Sequence, residues 1–231
     1  MQLHVLYPSF VLEAIWDFTP EENKRLSELA WKVSDANENT EKTHAQNSGA
    51  YFTKHRFNLL EDYWEEPVVQ KFAMYADRMA RDYLRAAYNN DMQHPIKLMA
   101  EPFCQNTQMG TKGIMMHAHQ GKPLLVTYYP SVKIEKAEAP LVGNMGANGE
   151  IDFYDPTGLG KRWWANKHPG HHTGSVFRLA VQEGTALAFE GQIPHAGCPF
   201  TGEERVCIPV ICYPQLPHKN GGKTLDELAH K

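Results

Sequence analysis

From residue 96 onward the chain is a succession of short β-type runs, "IKLMAEPFCQNTQ", "GIMMHAH", "PLLVTYYP", "EIDFYDP", "VFRLAVQEGTALAFE" and "RVCIPVICYP", punctuated by Gly, Pro and Asn. Such runs in close succession predict an antiparallel sandwich or barrel rather than βαβ units. Ahead of them lie two stretches at helical spacing. In residues 19–34, "TPEENKRLSELAWKVS", Thr19 is placed as N-cap, Pro20 at the first helical position and Glu22 three residues after the cap. Leu26, Leu29, Ala30 and Val33 then share one face, and Val68, Phe72, Tyr75, Met79 and Tyr83 form a second apolar stripe. Both helices are predicted to lie flat on a sheet. The polar stretch between them, residues 37–62, predicts a loop or short edge strands. The fold class expected is α+β, mainly β, with helices packed outside a β-core.

The chain has 231 residues, which suits one core of this type, and we expect a single domain. Within it, residues 1–95 form a helical support region, 96–214 the β-core and 215–231 a Pro/Gly/Lys-rich, partly ordered tail. Hydrophobic residues at 42% and charged residues at 22% describe an ordinary soluble globular protein. With 23 basic against 27 acidic residues and no Lys/Arg run, no nucleic-acid partner is expected. The first residues lack a basic n-region followed by a continuous apolar stretch, and nothing approaches the ~20 apolar residues of a membrane span. No membrane partner and a cytoplasmic location are therefore expected. Cys104, Cys198, Cys207 and Cys212 show no CxxC spacing and are read as buried, reduced thiols.

Twelve histidines demand sorting. His4, His44, His55, His94, His218 and His230 stand alone in polar or terminal contexts and are read as solvated or structural. His168, His171 and His172 lie in "NKHPGHHTG", where a surface loop is the expected setting. His117 and His119 differ, because strand alternation turns residues i and i+2 to the same face. A distal partner is His195, which follows the strand "TALAFE" and a Gly-Gln-Ile-Pro turn. Two histidines from one strand and a third from another can converge on one face of an Fe(II) and leave the opposite positions open. Arg205, ten residues after His195, supplies a planar, always-charged fork suited to a carboxylate.

The order HxH, a strand ending in an aromatic pair, "GEIDFYDP" and then "EGTALAFEGQIPHAGCPFTGEERVCIPV" resembles the 2-oxoglutarate/Fe(II)-dependent oxygenases, specifically an HxH-containing branch. The opening "LHVLYPSFV" resembles that branch's usual "LFP" start. The resemblance implies a double-stranded β-helix, a jelly-roll core with the metal at its open end and helices bracing one side. It implies Fe(II) held by His117, His119 and His195, with 2-oxoglutarate and O2 as co-substrates and Arg205 as anchor for the far carboxylate. Tyr128, on the strand after HxH, is expected to hydrogen-bond the co-substrate or to pack in the core. The expected reaction is hydroxylation of a small-molecule or peptidyl substrate.

The departure from the family is at the second ligand, where His119 stands in place of Asp or Glu. A carboxylate would bring an Fe(II) site to about +1, whereas three imidazoles leave it near +2. Asp152 is an alternative ligand, although an exposed strand-end carboxylate is its expected role. His119 and Gly121 also read as an HxG element, which would leave a coordination position for a halide. Two further alternatives are a cupin-like three-histidine dioxygenase without 2-oxoglutarate and a non-catalytic metal-binding jelly roll. Trp163, Trp164 and the His-rich loop are expected to cover the substrate opening.

Overall fold

The runs "LLVTYY", "TALAFE" and "VCIPVIC" show almost no polar alternation because they lie in a sheet that is covered on both faces. The structure, a computed structural model, describes residues 2–6, 9–35, 51–52, 58–106, 114–119, 121–134, 149–154, 176–198, 202–214 and 222–230. Its strands are β1 (Gln2–Leu6), β2 (Ser9–Ile15), β3 (Tyr51–Phe52), β4 (Ile96–Ala100), β5 (Phe103–Asn106), β6 (Ile114–His117), β7 (Leu124–Ile134), β8 (Glu150–Tyr154), β9 (Val176–Ala180), β10 (Thr185–Glu190), β11 (His195–Gly197) and β12 (Gly202–Pro214). The helices are α1 (Pro20–Asp35), α2 (Leu59–Asp62), α3 (Pro67–Tyr88) and α4 (Leu225–Ala229).

The strands form two antiparallel sheets. The larger has the order β1-β2-β10-β7-β12-β5-β3, with β4 also paired to β12, and the smaller has the order β6-β11-β8-β9. This is the sandwich of a double-stranded β-helix, and it bears out the α+β, mainly-β expectation. Along β7, Leu124, Val126 and Tyr128 face the helices, whereas Leu125 and Tyr129 face the smaller sheet. β10 divides in the same way, with Ala186 and Ala188 on one face and Leu187 and Phe189 on the other.

The helices form for the reasons their sequences predict. Thr19 and Glu22 close a reciprocal capping box: the Thr19 N–H donates to Glu22 Oε2 (2.8 Å) and the Glu22 N–H to Thr19 Oγ1 (3.2 Å). Leu26, Leu29 and Ala30 are fully buried against the larger sheet, and burial of each leucine contributes about 1.5–3 kcal/mol. Pro67 opens α3, and Asn89 (φ 51°) ends it in the left-handed region. Val68, Phe72, Met79 and Tyr83 are buried, with Tyr75 at the edge of the stripe.

Two regions differ from expectation, and the tail adds a short helix. Residues 2–15, placed in a helical support region, contribute β1 and β2 to the larger sheet, where β2 pairs with β10. Within the polar stretch, β3 is the expected edge strand, but residues 59–62 are a helical turn. Asn58 holds it, its Oδ1 accepting from the Leu60 N–H (3.2 Å) and the Ala100 N–H (2.9 Å). Part of the tail is helical: Thr224 and Glu227 form a second capping box, Leu228 is buried, and Lys223 bridges to Leu98 on β4. All four cysteines are buried, and none is in a disulfide. Among the described residues, no helix is long and apolar enough to cross a membrane.

Candidate metal centre

His117 is the last residue of β6, and the β6–β11 register sets it opposite His195. Backbone pairing thus brings the HxH segment and the distal histidine together. His119 lies past the strand end, held by its N–H to the Gly191 carbonyl (2.7 Å); its own carbonyl accepts from the Lys122 N–H (3.1 Å). Gly191 permits that contact by lacking a side chain, since a Cβ there would lie 2.0 Å from the Lys122 carbonyl oxygen. The three imidazoles offer ligand nitrogens within 4.8 Å of one another. Their ring centroids are 4.4 to 5.1 Å apart.

The protonation of these rings suits a metal. The His195 Nδ1 lies 2.9 Å from the Ile193 carbonyl, so Nδ1 carries the proton and Nε2 presents its lone pair to the cluster. Burial first and then the neighbouring His117 hold the His195 pKa down to about 4, against a smaller upward pull from the Ile193 carbonyl. His119 is held down to about 3, first by burial and then by His195, His117 and Lys122. Both rings are therefore neutral at pH 7, which is the form that ligates.

Asp152 is not part of the cluster, and the expectation of an exposed carboxylate is also corrected. It is 1% exposed and accepts two hydrogen bonds from Arg178, from Nε at 2.6 Å and Nη2 at 3.0 Å. The β8–β11 register sets Asp152 opposite Ala196 and Phe153 opposite His195, so alternation turns Asp152 to the other face of the sheet.

The histidines open into a cleft between the sheets that encloses about 860 Å³, its solvent mouth included. Arg205 lines it from β12, with 2% of its surface exposed. Burial holds the Arg205 pKa down, while Tyr129, Cys207 and Cys198 act to raise it. Burial also pushes Tyr129 well up and the Cys207 thiol up to about 12, so neither ionises at neutral pH.

Of the two roles expected for Tyr128, at the co-substrate or packed in the core, the structure shows the second: it faces away from the cleft. Its hydroxyl donates to Asn23 Oδ1 (2.6 Å), and its ring stacks on Trp16 at 4.6 Å in the helix-side core. Alternation along β7 gives the cleft Leu125, Thr127 and Tyr129 instead. Tyr129 was missed because a strand buried on both faces carries no period to choose between adjacent tyrosines. Gly191 was missed because only the fold reveals its close approach. Glu101 and Lys122, at the cleft wall, carried no motif at all. His94 and His230 are exposed, away from the cluster. His44, His55, His168, His171, His172, His218, Trp163 and Trp164 lie outside the described residues, as does the His4 side chain.

Fold and site together define a double-stranded β-helix protein with a three-histidine centre between its sheets. Solved structures of prolyl hydroxylases and other 2-oxoglutarate-dependent enzymes share this fold. A prolyl-4-hydroxylase from Pseudomonas putida is 10% identical, with a TM-score of 0.52 over 89% of this chain and 93% of that one. A viral collagen prolyl hydroxylase from Paramecium Bursaria Chlorella virus-1, in complex with 2-oxoglutarate, is 12% identical, with a TM-score of 0.51 over 89% and 96%. The non-haem α-ketoglutarate-dependent epimerase SnoN of nogalamycin biosynthesis is 14% identical, with a TM-score of 0.53 over 94% and 88%. No protein-family model matches the chain, and no curated protein matches it in sequence. At these identities the likeness establishes the fold, that of the 2-oxoglutarate/Fe(II)-dependent oxygenases.

Proposed function

We propose that the protein is a non-haem Fe(II)- and 2-oxoglutarate-dependent oxygenase that hydroxylates a small-molecule or peptidyl substrate. The observation that carries this reading is the convergence of His117, His119 and His195 in one cleft with the buried guanidinium of Arg205. Imidazole nitrogens suit iron among the transition metals, and the cleft leaves one side of the cluster accessible to other ligands. His117, His119 and His195 would hold the ion. When bound, Fe(II) and 2-oxoglutarate supply the oxidising power for reaction with O2.

The remaining work belongs to the chain. Arg205 presents a rigid fork to the far carboxylate of 2-oxoglutarate, and its burial removes the water that would compete. Tyr129 and Cys207 stay neutral beside it, so they add no negative charge to repel the dianion. His195 is oriented by the Ile193 carbonyl and His119 by Gly191, so two of the three ligands are fixed through backbone contacts. Leu125, Ile151 and Phe189 make the wall apolar and exclude water. Three neutral imidazoles leave the ion's charge undiminished, which favours a dianionic co-substrate. Four buried cysteines outside any disulfide support the cytoplasmic location that forms part of this reading.

The experiment is calorimetry of 2-oxoglutarate binding to the metal-loaded protein. Arg205→Gln should weaken binding by about 2–5 kcal/mol, and Arg205→Lys, which keeps the charge but loses the fork, by less. Unchanged affinity in both variants would overturn the assignment. The three-histidine set also favours a second reading, a cupin-like dioxygenase that binds substrate directly to iron. That enzyme would be indifferent to 2-oxoglutarate and to Arg205 as its anchor. The inclusion of His117 in the cluster gives no support to the HxG reading.

A further inference from the structure

The cleft has a second charged station. Among the described residues that line it, Glu101 is the one carboxylate and Lys122 the one ammonium. They pair, with Lys122 Nζ 3.1 Å from Glu101 Oε2 and side chains only 18% and 16% exposed. Both are anchored by backbone. The Glu101 N–H donates to the Pro209 carbonyl on β12 (2.9 Å), and the Lys122 N–H donates to the carbonyl of His119. Lys122 therefore sits on the turn that carries His119, and Glu101 reaches it from the β4–β5 connection. In the β7–β12 register Leu125 lies opposite Ile211 and Thr127 opposite Pro209, whereas Arg205 lies opposite Val132. Arg205 is thus toward one end of these strands and the pair toward the other. Between them the wall is largely apolar, with Leu125, Ile151, Phe189 and Ile211.

A self-neutralised ion pair in such a wall discriminates by charge. A substrate of one sign would engage one partner and strand the other with little water to solvate it. An uncharged substrate could hydrogen-bond to either partner but would replace neither charge of the pair. A zwitterion can take both, its ammonium on Glu101 and its carboxylate on Lys122, and leave every charge partnered. Because the two side chains are in direct contact, the complementary groups must also be close together, as they are when both sit on one carbon.

We infer that Glu101 and Lys122 anchor the α-ammonium and α-carboxylate of a free amino acid with an apolar side chain. The side chain then lies along Leu125, Ile151 and Phe189 towards the histidines. This inference rests on the proposed oxygenase reading, in which Arg205 is committed to 2-oxoglutarate.

The test is anaerobic calorimetry of the Fe(II)-loaded full chain, with and without 2-oxoglutarate, against L-leucine, L-isoleucine and L-phenylalanine. Each is compared with its N-acetyl derivative, an anion, and its carboxamide, a cation. At least one free amino acid should bind about tenfold or more tighter than both of its derivatives. Glu101→Gln should abolish the preference over the N-acetyl form, and Lys122→Met the preference over the carboxamide. Because each preference is a ratio within one protein, a general loss of folding does not mimic it. Binding of no free amino acid, or equal binding of free and derivatised forms, would overturn the inference. Failure of 2-oxoglutarate itself to bind would instead overturn the oxygenase reading, and the amino-acid comparison would still stand on the Fe(II)-loaded protein.

Discussion

Gly191→Ala should disable the metal centre from outside it. The added Cβ would lie 2.0 Å from the Lys122 carbonyl oxygen and 3.0 Å from both the Lys122 carbonyl carbon and Leu125 Cδ1. A carbon and a carbonyl oxygen do not approach closer than about 3 Å, so the backbone at residue 122 must retreat by about 1 Å. That backbone is hydrogen-bonded to His119, whose N–H in turn donates to Gly191 at 2.7 Å. Displacement therefore reaches His119, proposed as a ligand, and a metal–ligand bond tolerates only about 0.2 Å. Overpacking should cost about 1–3 kcal/mol of folding stability, and loss of ligand orientation about 10–100-fold in metal affinity. The assay is anaerobic Fe(II) titration of the variant, with circular dichroism and thermal unfolding to establish that it is folded. The spectrum of the Co(II)-substituted protein reports ligand number independently. A folded variant that binds Fe(II) as tightly as the parent, with an unchanged Co(II) spectrum, would refute the reasoning.

Other substitutions separate ligands from their surroundings. Asp152→Ala leaves Arg178 without its bidentate partner and should cost about 3 kcal/mol by urea unfolding, reduced from the fully buried case because Arg178 reaches water. Its iron content should stay unchanged, and loss of iron would make Asp152 a ligand. Tyr128→Phe removes the hydroxyl bonded to Asn23 and should cost about 1 kcal/mol while leaving 2-oxoglutarate affinity unaltered; weakened co-substrate binding would contradict the placement of Tyr128. In the metal-free protein, His119 and His195 titrate at about 3 and about 4, below their ordinary value. As pH falls below about 6.5 the unfolded chain binds protons first, so the stability present at neutral pH is lost at about 1.4 kcal/mol per proton per pH unit. The urea midpoint should drop between pH 7 and pH 5, and equal midpoints would show that the rings are not buried in neutral form.

The residues that carry the proposed chemistry were legible because their spacing has a geometric meaning. Pairing of β6 with β11 brings His117, with His119 just beyond the strand end, to His195, and Arg205 faces the same cleft from β12 in the other sheet. The helices were legible from their caps and stripes. Strands with both faces buried were recognisable as strands, but their orientation was not. Tyr128 and Tyr129 are equally apolar neighbours, and only the sheet's position between helices and second sheet assigns one to each side. Asp152 looks like any strand-end acid until Arg178, 26 residues later, is found beside it. The place of β2 in the larger sheet was hidden because its partner there, β10, lies about 170 residues downstream, and no local pattern encodes so distant a pairing; β1 joins the sheet only through β2. Gly191 and the Glu101–Lys122 pair depend on the same kind of long-range approach.

The most direct test of the central claim is anaerobic titration of the Fe(II)-loaded protein with 2-oxoglutarate, followed in the visible spectrum. Chelation of the ion by the 2-oxo acid should produce a weak metal-to-ligand charge-transfer band that saturates at one equivalent and is lost in His119→Ala. The absence of any band from a protein that retains its iron would contradict the assignment of this centre to 2-oxoglutarate chemistry.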